Sequence, residues 1–234
     1  MKGRGAADIV FVVDASGSME PCIAGLKEHV TTFVDALNKD ANHSWDIRLD
    51  FLAHDVPGEG LFRARSIFES SLLPALYGGQ GRFFTADAAV FQNALGEVQT
   101  GGDECSMVAL DCALDFPWRP SEGCHRVVVL LSDEALEGGR RLEESMQMVN
   151  SVIAKLQELR ILLFLVAPES EGFESLSTAN RCEWNVIQGD DGLVSVDFRK
   201  LMESISKSVS VSTVSQGKQT CAARRALFGQ DNLN

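Results

Sequence analysis

This sequence predicts an α/β fold: a doubly wound, mostly parallel six-stranded sheet with one antiparallel edge strand and helices on both faces. Three observations carry that reading. The runs Ile9–Val13, Val127–Leu131 and Ile161–Val166 are short, aliphatic or β-branched, and bare of polar residues on either face, as strands buried on both sides are. Other stretches place apolar residues at steps of three and four, the spacing of amphipathic helices. Strand and helix alternate along the chain, the order that builds a parallel sheet with helices packed on its faces.

Ile9–Val13 stops at Asp14, and the turn Ala15-Ser16-Gly17-Ser18 leads into a helix whose stripe is Ile23, Leu26, Val30, Phe33 and Leu37. The polar stretch 38–44 ends it. Ile47, Leu49, Phe51 and Ala53 alternate with Asp46, Arg48, Asp50 and Leu52, the pattern of a half-buried strand nearer an edge. Pro57, Gly58 and Gly60 form a hairpin turn. Leu61–Phe68 is then the antiparallel edge strand, with Arg63 and Arg65 as charges that discourage pairing with other chains. Residues 72–82, punctuated by Pro74 and Gly78-Gly79-Gln80-Gly81, read as a loop. Thr85 caps a helix running to Val98, and a further helix carrying Ala109, Leu110, Ala113 and Leu114 closes before Pro117.

Val127–Leu131 runs directly into Ser132-Asp133-Glu134. A long helix follows on Leu142, Met146, Val149, Ile153 and Leu156, then the strand Ile161–Val166, a short helix over 173–179, a last strand Glu183–Ile187, and a final stripe on Phe198, Leu201, Met202, Ile205 and Val209. Beyond that stripe the chain loses periodicity and becomes rich in Ser, Gln and Asn. The expected division is one domain over 1–209 and a mostly disordered tail over 210–234, within which 222–228 reads as a short docking segment.

A chain of 234 residues buries enough surface to hold a core without staples. A net charge of −12 argues against nucleic acid or an anionic membrane as the main partner, because phosphate contacts need a basic face. No apolar run is long enough to cross a bilayer, and the run after Lys2 and Arg4, bracketed by Asp8 and Asp14, does not have the form of a secretion signal. The expected location is the cytosol. The cysteines are scattered, without a Cys-x-x-Cys pair or zinc spacing, and read as reduced, buried thiols.

Asp14, Ser16 and Ser18 place a carboxylate and two hydroxyls at alternate positions of one tight loop. Hard oxygen donors of this kind suit Mg²⁺ or another hard divalent cation and suit zinc poorly; capping of the following helix is the competing use for them. Asp14-Ala15-Ser16-Gly17-Ser18 resembles the Asp-x-Ser-x-Ser signature of von Willebrand factor A domains, whose metal-ion-dependent adhesion site uses these residues as ligands. The chain is similar in particular to stand-alone bacterial members of the tellurium-resistance-associated type.

The resemblance implies two further ligands, a threonine after a Gly-Gly pair and an aspartate ending the fourth strand. The aspartate corresponds to Asp133. Directly after Gly101-Gly102 stands Asp103 in place of threonine; counted back from Ala109-Leu110, Glu104 takes the slot and Ser106 falls where a second hydroxyl residue often lies. The expected metal shell is therefore Asp14, Ser16, Ser18, Asp103 and Asp133, with Glu104 as the alternative to Asp103. The expected cation is Mg²⁺, with Mn²⁺ and Ca²⁺ as the other candidates. A third carboxylate leaves such a site net negative and blunts its attraction for an acidic ligand; capping of the next helix is the other reading of Asp103 and Glu104.

What the resemblance implies about function is a non-catalytic scaffold module that captures a partner protein at its metal face. Two other readings stay open. One is a Mg²⁺-dependent phosphohydrolase in which the cation activates water; against it, Ser16 stands where an aspartyl-nucleophile phosphatase needs a second acid, and 132–139 holds no lysine. The other is a scaffold whose metal is only structural. His54-Asp55 has no nucleophile motif beside it, and the glycines form no phosphate cradle.

Overall fold

The computed structural model describes residues 3–38, 43–57, 61–136, 142–187, 196–212 and 224–227. Its strands are β1 (Gly3–Asp14), β2 (His43–Asp55), β3 (Arg63–Arg65), β4 (His125–Leu131), β5 (Ile161–Pro168), β6 (Cys182–Ile187) and β7 (Arg224–Leu227). They form one sheet in the order β3-β2-β1-β4-β5-β6-β7. Every neighbouring pair is parallel except β2 with β3. The expected arrangement of strands is present, and the short β7 extends it beyond β6.

Alternate residues of each central strand feed two separate cores. Ile9, Phe11 and Val13 of β1, Val127 and Val129 of β4, and Phe164 of β5 face α1 (Glu20–Asn38), α3 (Ala88–Leu95) and α7 (Phe198–Ser212). There Phe11 meets Phe33 and Phe91 edge-on, with ring centroids 6.1 and 5.6 Å apart. Val10, Val12, Val128, Leu130 and Leu163 face the other way, toward α2 (Leu72–Gly78), α4 (Ser106–Leu114), α5 (Leu142–Glu158) and α6 (Glu171–Leu176). A strand with helices on both sides has no wet face, which is why these runs lack polar residues.

Several expectations change against this frame. Residues 72–78 are helical and not loop: Pro74 sits in the first turn of α2, where its missing N–H is not needed, and Gly79 ends the helix in the left-handed region at φ +70°. Helix α3 starts later than expected and is capped by Asp87, whose carboxylate accepts from the Ala89 N–H. Thr85 instead exchanges backbone hydrogen bonds with Leu49 on the outer side of β2. The edge strand is shorter than the expected 61–68. Of the tail, 213–223 and 228–234 lie outside the described residues.

The largest change concerns β2, which is covered on both faces toward its C-terminal end: Asp50 and Leu52 are fully buried. The Asp50 carboxylate accepts the N–H groups of Phe51 (2.8 Å), Ile67 (3.1 Å) and Phe84 (2.8 Å), clamping two loops over the strand. Burial pushes its pKa up to about 7 against the pull of those three donors.

At the opposite, N-terminal end of the sheet, buried Asp8 on β1 accepts from Arg48 on β2 (2.8 and 2.6 Å) and from both Nε and the backbone N–H of Arg119 (2.7 and 2.8 Å). Burial alone would raise the Asp8 pKa; the Arg48 and Arg119 hydrogen bonds and charges outweigh it and hold the carboxyl below its ordinary range. The Arg48 and Arg119 side chains retain 31% and 22% exposure, so the network falls short of the roughly 3–5 kcal/mol of a fully buried pair.

Asp8→Asn is expected to cost about 2 kcal/mol at neutral pH by chemical denaturation. Because the folded pKa is depressed, this contribution is complete above the unfolded-state value of about 3.9 and is lost as pH falls through the folded one. The gap between variant and parent therefore closes in acid. Phe11→Ala, which empties the contact with Phe33 and Phe91, is expected to cost about 3–5 kcal/mol at any pH where the protein folds.

Candidate metal centre

The order of strands reverses between β1 and β4: after β1 the chain fills the sheet on one side with β2 and β3, then returns to pair β4 against the other side of β1. Loops leaving the C-terminal ends of neighbouring parallel strands at such a point diverge around a crevice. Val13 lies opposite Leu131 in the β1–β4 register, so Asp14 and the Ser132-Asp133 turn emerge beside each other on one rim.

The first loop is held rigidly. The Ala15 N–H donates to the His54 carbonyl at 2.8 Å, and the Ala15 carbonyl accepts from the Gly101 N–H at 2.7 Å. The Ser16 N–H donates to Asp14 Oδ1 at 2.7 Å, and the Ser16 and Ser18 hydroxyls lie 3.0 Å apart. A single 3₁₀ turn, Gly17–Met19, follows, and the Ser16 side chain makes no capping hydrogen bond to it. The competing use of this hydroxyl as a helix cap is therefore not the one observed.

The third loop of the rim, 101–104, closes the other side. Val56 and Asp103 exchange backbone hydrogen bonds of 2.7 and 2.9 Å, binding the loop to the end of β2. Gly101 and Gly102 have φ values of +148° and +97°, and a Cβ on Gly102 would stand 3.0 Å from the Val56 carbonyl oxygen. Gly102 is thus required by a close backbone approach as well as by its φ, and Gly101 by its φ alone, since a Cβ there meets nothing within 4 Å. Neither Asp103 nor Glu104 caps α4: its N-cap is Cys105, which makes no side-chain capping bond.

The expected ligands fall into place unequally. Asp14, Ser16 and Ser18 share the first loop, with Asp14 fully buried, Ser16 buried and Ser18 exposed. Asp133 is half-buried and acts electrostatically on Asp14. Asp103 is half-buried, and its Oδ1 accepts from the Glu104 N–H at 3.1 Å. Glu104 is buried, shares a side-chain hydrogen bond with Glu134, and feels the charges of Asp14, Glu134 and Asp103. Of the two acids in this loop, Glu104 is the one whose side chain is tied to the loop after β4.

Two oxygens decide what the crevice can do. Among the described residues, Asp14 Oδ2 and Asp133 Oδ1 are buried and have no hydrogen-bond partner. A buried carboxylate oxygen without a donor costs about 1–3 kcal/mol or more. Burial first, then repulsion from Asp133, push Asp14 up to about 7, against the Ser16 N–H that pulls it down. Glu104 is pushed up to about 9 by burial, by its bond to Glu134 and by the surrounding acids. A divalent cation supplies the positive charge that this arrangement lacks. Among the described residues no three His, Cys, Asp or Glu side chains form a ready cation cage, so a shell here relies on hydroxyl and water oxygens beside two carboxylates.

Two features escaped the sequence reading. Glu134 joins the acidic rim, although the Asp133-Glu134 pair was visible as the acidic end of a strand. Cys22, in the first turn of α1, is buried beside Asp133 and Asp14; burial and both charges push its thiol up. His54, a conceivable base, is buried with both ring nitrogens unpartnered among the described residues, and burial depresses it to about 3. Asp55 is engaged by Arg63.

No family model matches this chain, and no curated protein matches it. Solved structures do. A von Willebrand factor type A protein from Catenulispora acidiphila superposes with a TM-score of 0.55 at 18% identity, covering 86% of this chain and 42% of its own. Proximal thread matrix protein 1 from the mussel byssus, with a zinc-occupied MIDAS motif, gives 0.56 at 17% identity, covering 87% and 45%. The fold is that of von Willebrand factor A domains. A D319A mutant of the PilB minor pilin from Streptococcus sanguinis gives 0.57 at 10% identity, covering 93% and 65%. The chain spans less than two thirds of each of these proteins, and identities this low speak to fold alone. None of them bears on the tellurium-resistance-associated type.

Gly102→Ala should destabilise the protein by about 1–3 kcal/mol in thermal or chemical denaturation, whereas Gly17→Ala, where a Cβ meets nothing within 4 Å, should be close to neutral.

Proposed function

We propose that this protein is a non-catalytic, metal-dependent protein-binding module, in which a divalent cation held by Asp14, Ser16, Ser18 and Asp133 presents an open position to a partner protein. The observation that carries the reading is the pair of buried oxygens, Asp14 Oδ2 and Asp133 Oδ1, that have no partner among the described residues and sit at the ends of adjacent parallel strands. When bound, the cation supplies a Lewis-acidic centre on a rigid rim. Mg²⁺ is the cation we favour on donor chemistry, since the donors are carboxylates and hydroxyls. Of the two third-loop acids, Glu104 is the buried one and is tied to Glu134, and we place it beside that shell as an outer neighbour.

The reading extends to a cytosolic scaffold of bacterial type. In its support, Cys22, Cys105, Cys112, Cys124 and Cys182 are free and buried, and no helix among the described residues is long and apolar enough to cross a membrane. The phosphohydrolase reading finds no favouring observation, since the histidine nearest the crevice is buried and neutral.

Calorimetric titration with Mg²⁺ is expected to show one site per chain, with Asp14→Asn and Asp133→Asn each weakening it by roughly a hundredfold or more, a loss beyond that of a typical outer-shell change. Equal affinity in parent and variants would end the reading. Hydrolysis of para-nitrophenyl phosphate with Mg²⁺ is expected at background; turnover abolished by Asp14→Asn would turn the assignment to the phosphohydrolase.

A further inference from the structure

The two edges of the sheet are finished differently. β3 is three residues long and carries Arg63 and Arg65, short and charged as protected edges are. On the other side β6 reads Cys182-Glu183-Trp184-Asn185-Val186-Ile187, and Trp184 to Ile187 are all buried. Such a strand has the make-up of an inner one and needs a neighbour. Its neighbour is β7, four residues aligned in parallel: Arg224 with Glu183, Arg225 with Trp184, Ala226 with Asn185 and Leu227 with Val186. This is a weak cover, because the strand is short and parallel pairing is slightly less stable per residue than antiparallel. The chain reaches β7 from α7 through 213–223, and a connection of that length sets an effective concentration on the order of millimolar. A better-matched strand from another protein can exceed that.

A side chain of β6 says what the better match is. Glu183 accepts the Ser208 hydroxyl of α7 at 3.0 Å, so alternation turns Asn185 toward the same face. Asn185 is 2% exposed, and its Nδ2 has no hydrogen-bond partner among the described residues. Ala226, aligned with it, carries no side-chain acceptor. We propose that the outer edge of β6 is a second protein-binding site, separate from the metal face, which takes an extended segment as an added parallel strand, and that β7 is its resident, displaceable occupant. The backbone ladder supplies affinity, and the side chains along β6 supply the choice of partner. The segment that fits has a basic residue aligned with Glu183, a hydrogen-bond acceptor such as Asn aligned with Asn185, and an aliphatic residue aligned with Val186. In β7, Arg224 and Leu227 hold the first and last of these positions and Ala226 lacks the middle one, so a partner strand that supplies it displaces β7.

The probe is a dye-labelled peptide with the sequence of residues 222–229 carrying Ala226→Asn, and the proteins are full-length chains. In the variant Arg225→Pro/Ala226→Pro, proline removes ladder donors from β7 and frees the edge of β6. By fluorescence anisotropy, the peptide is expected to bind this variant at least about tenfold more tightly than the unmodified chain, whose own β7 competes. The same peptide without the Ala226→Asn change is expected to bind about fivefold more weakly. That difference disappears when Asn185→Leu is added to the variant. In the unmodified chain, millimolar peptide is expected to quicken amide hydrogen exchange at 224–227 while 183–186 stay protected.

Equal binding to the unmodified chain and the double-proline variant, or binding to neither, overturns the inference, as does peptide that leaves exchange at 224–227 unchanged. A preference for the Ala226→Asn peptide that survives Asn185→Leu overturns the acceptor position. Should the double-proline variant fail to fold, the exchange experiment on the unmodified chain decides alone. None of these readouts involves a cation, so their failure leaves the metal reading standing.

Discussion

Asp14 stands where a strand without exposed surface gives way to a tight loop, and one of its carboxylate oxygens has no hydrogen-bond donor among the described residues. The same is true of an oxygen on Asp133, at the end of the neighbouring strand. An apolar sheet flanked by helices can hold two such groups near each other only if something compensates their desolvation and mutual repulsion. That constraint shapes the rest of the rim. The backbone of the first loop is latched to β2 through His54 and to the third loop through Gly101, which holds Asp14 at the rim.

The frame that enforces this is the double burial of the central strands. Two separate hydrophobic cores press on the sheet from opposite faces, which fixes the register of β1 against β4 and hence the side-by-side emergence of their loops. Charged groups elsewhere are treated differently. Asp8 is matched by two arginines and Asp50 by three backbone N–H groups. The contrast is instructive: Asp8 and Asp50 receive donors from their own chain, and at Asp14 and Asp133 an oxygen on each has none among the described residues.

Much of the architecture was legible because the strongest signals are long and one-sided. The aliphatic runs of β1, β4 and β5 and the stripes of α1, α5 and α7 could not be mistaken for loops, and strand-helix alternation then dictated a parallel sheet. Helix α2 was missed because Pro74 and Gly78-Gly79 look like punctuation; a proline in a first turn and a glycine just beyond a last turn are compatible with a helix. The burial of Asp50 was not readable, since its three donors come from loops whose path depends on tertiary packing. Within the rim, the first-loop signature and Asp133 were plain in the sequence. The division of labour between Asp103 and Glu104 was not, because it turns on tertiary contacts, the backbone pairing of Asp103 with Val56 and the tie between Glu104 and Glu134.

The fold likeness to von Willebrand factor A domains places the crevice, and the chemistry of the crevice rests on this chain's own residues. Anomalous diffraction from crystals soaked in Mn²⁺ tests the central claim most directly. The account predicts one strong peak between Asp14 and Asp133, about 2.0–2.6 Å from an oxygen of each or from waters bound to them. A peak bound elsewhere, or an empty crevice at millimolar Mn²⁺, would contradict it.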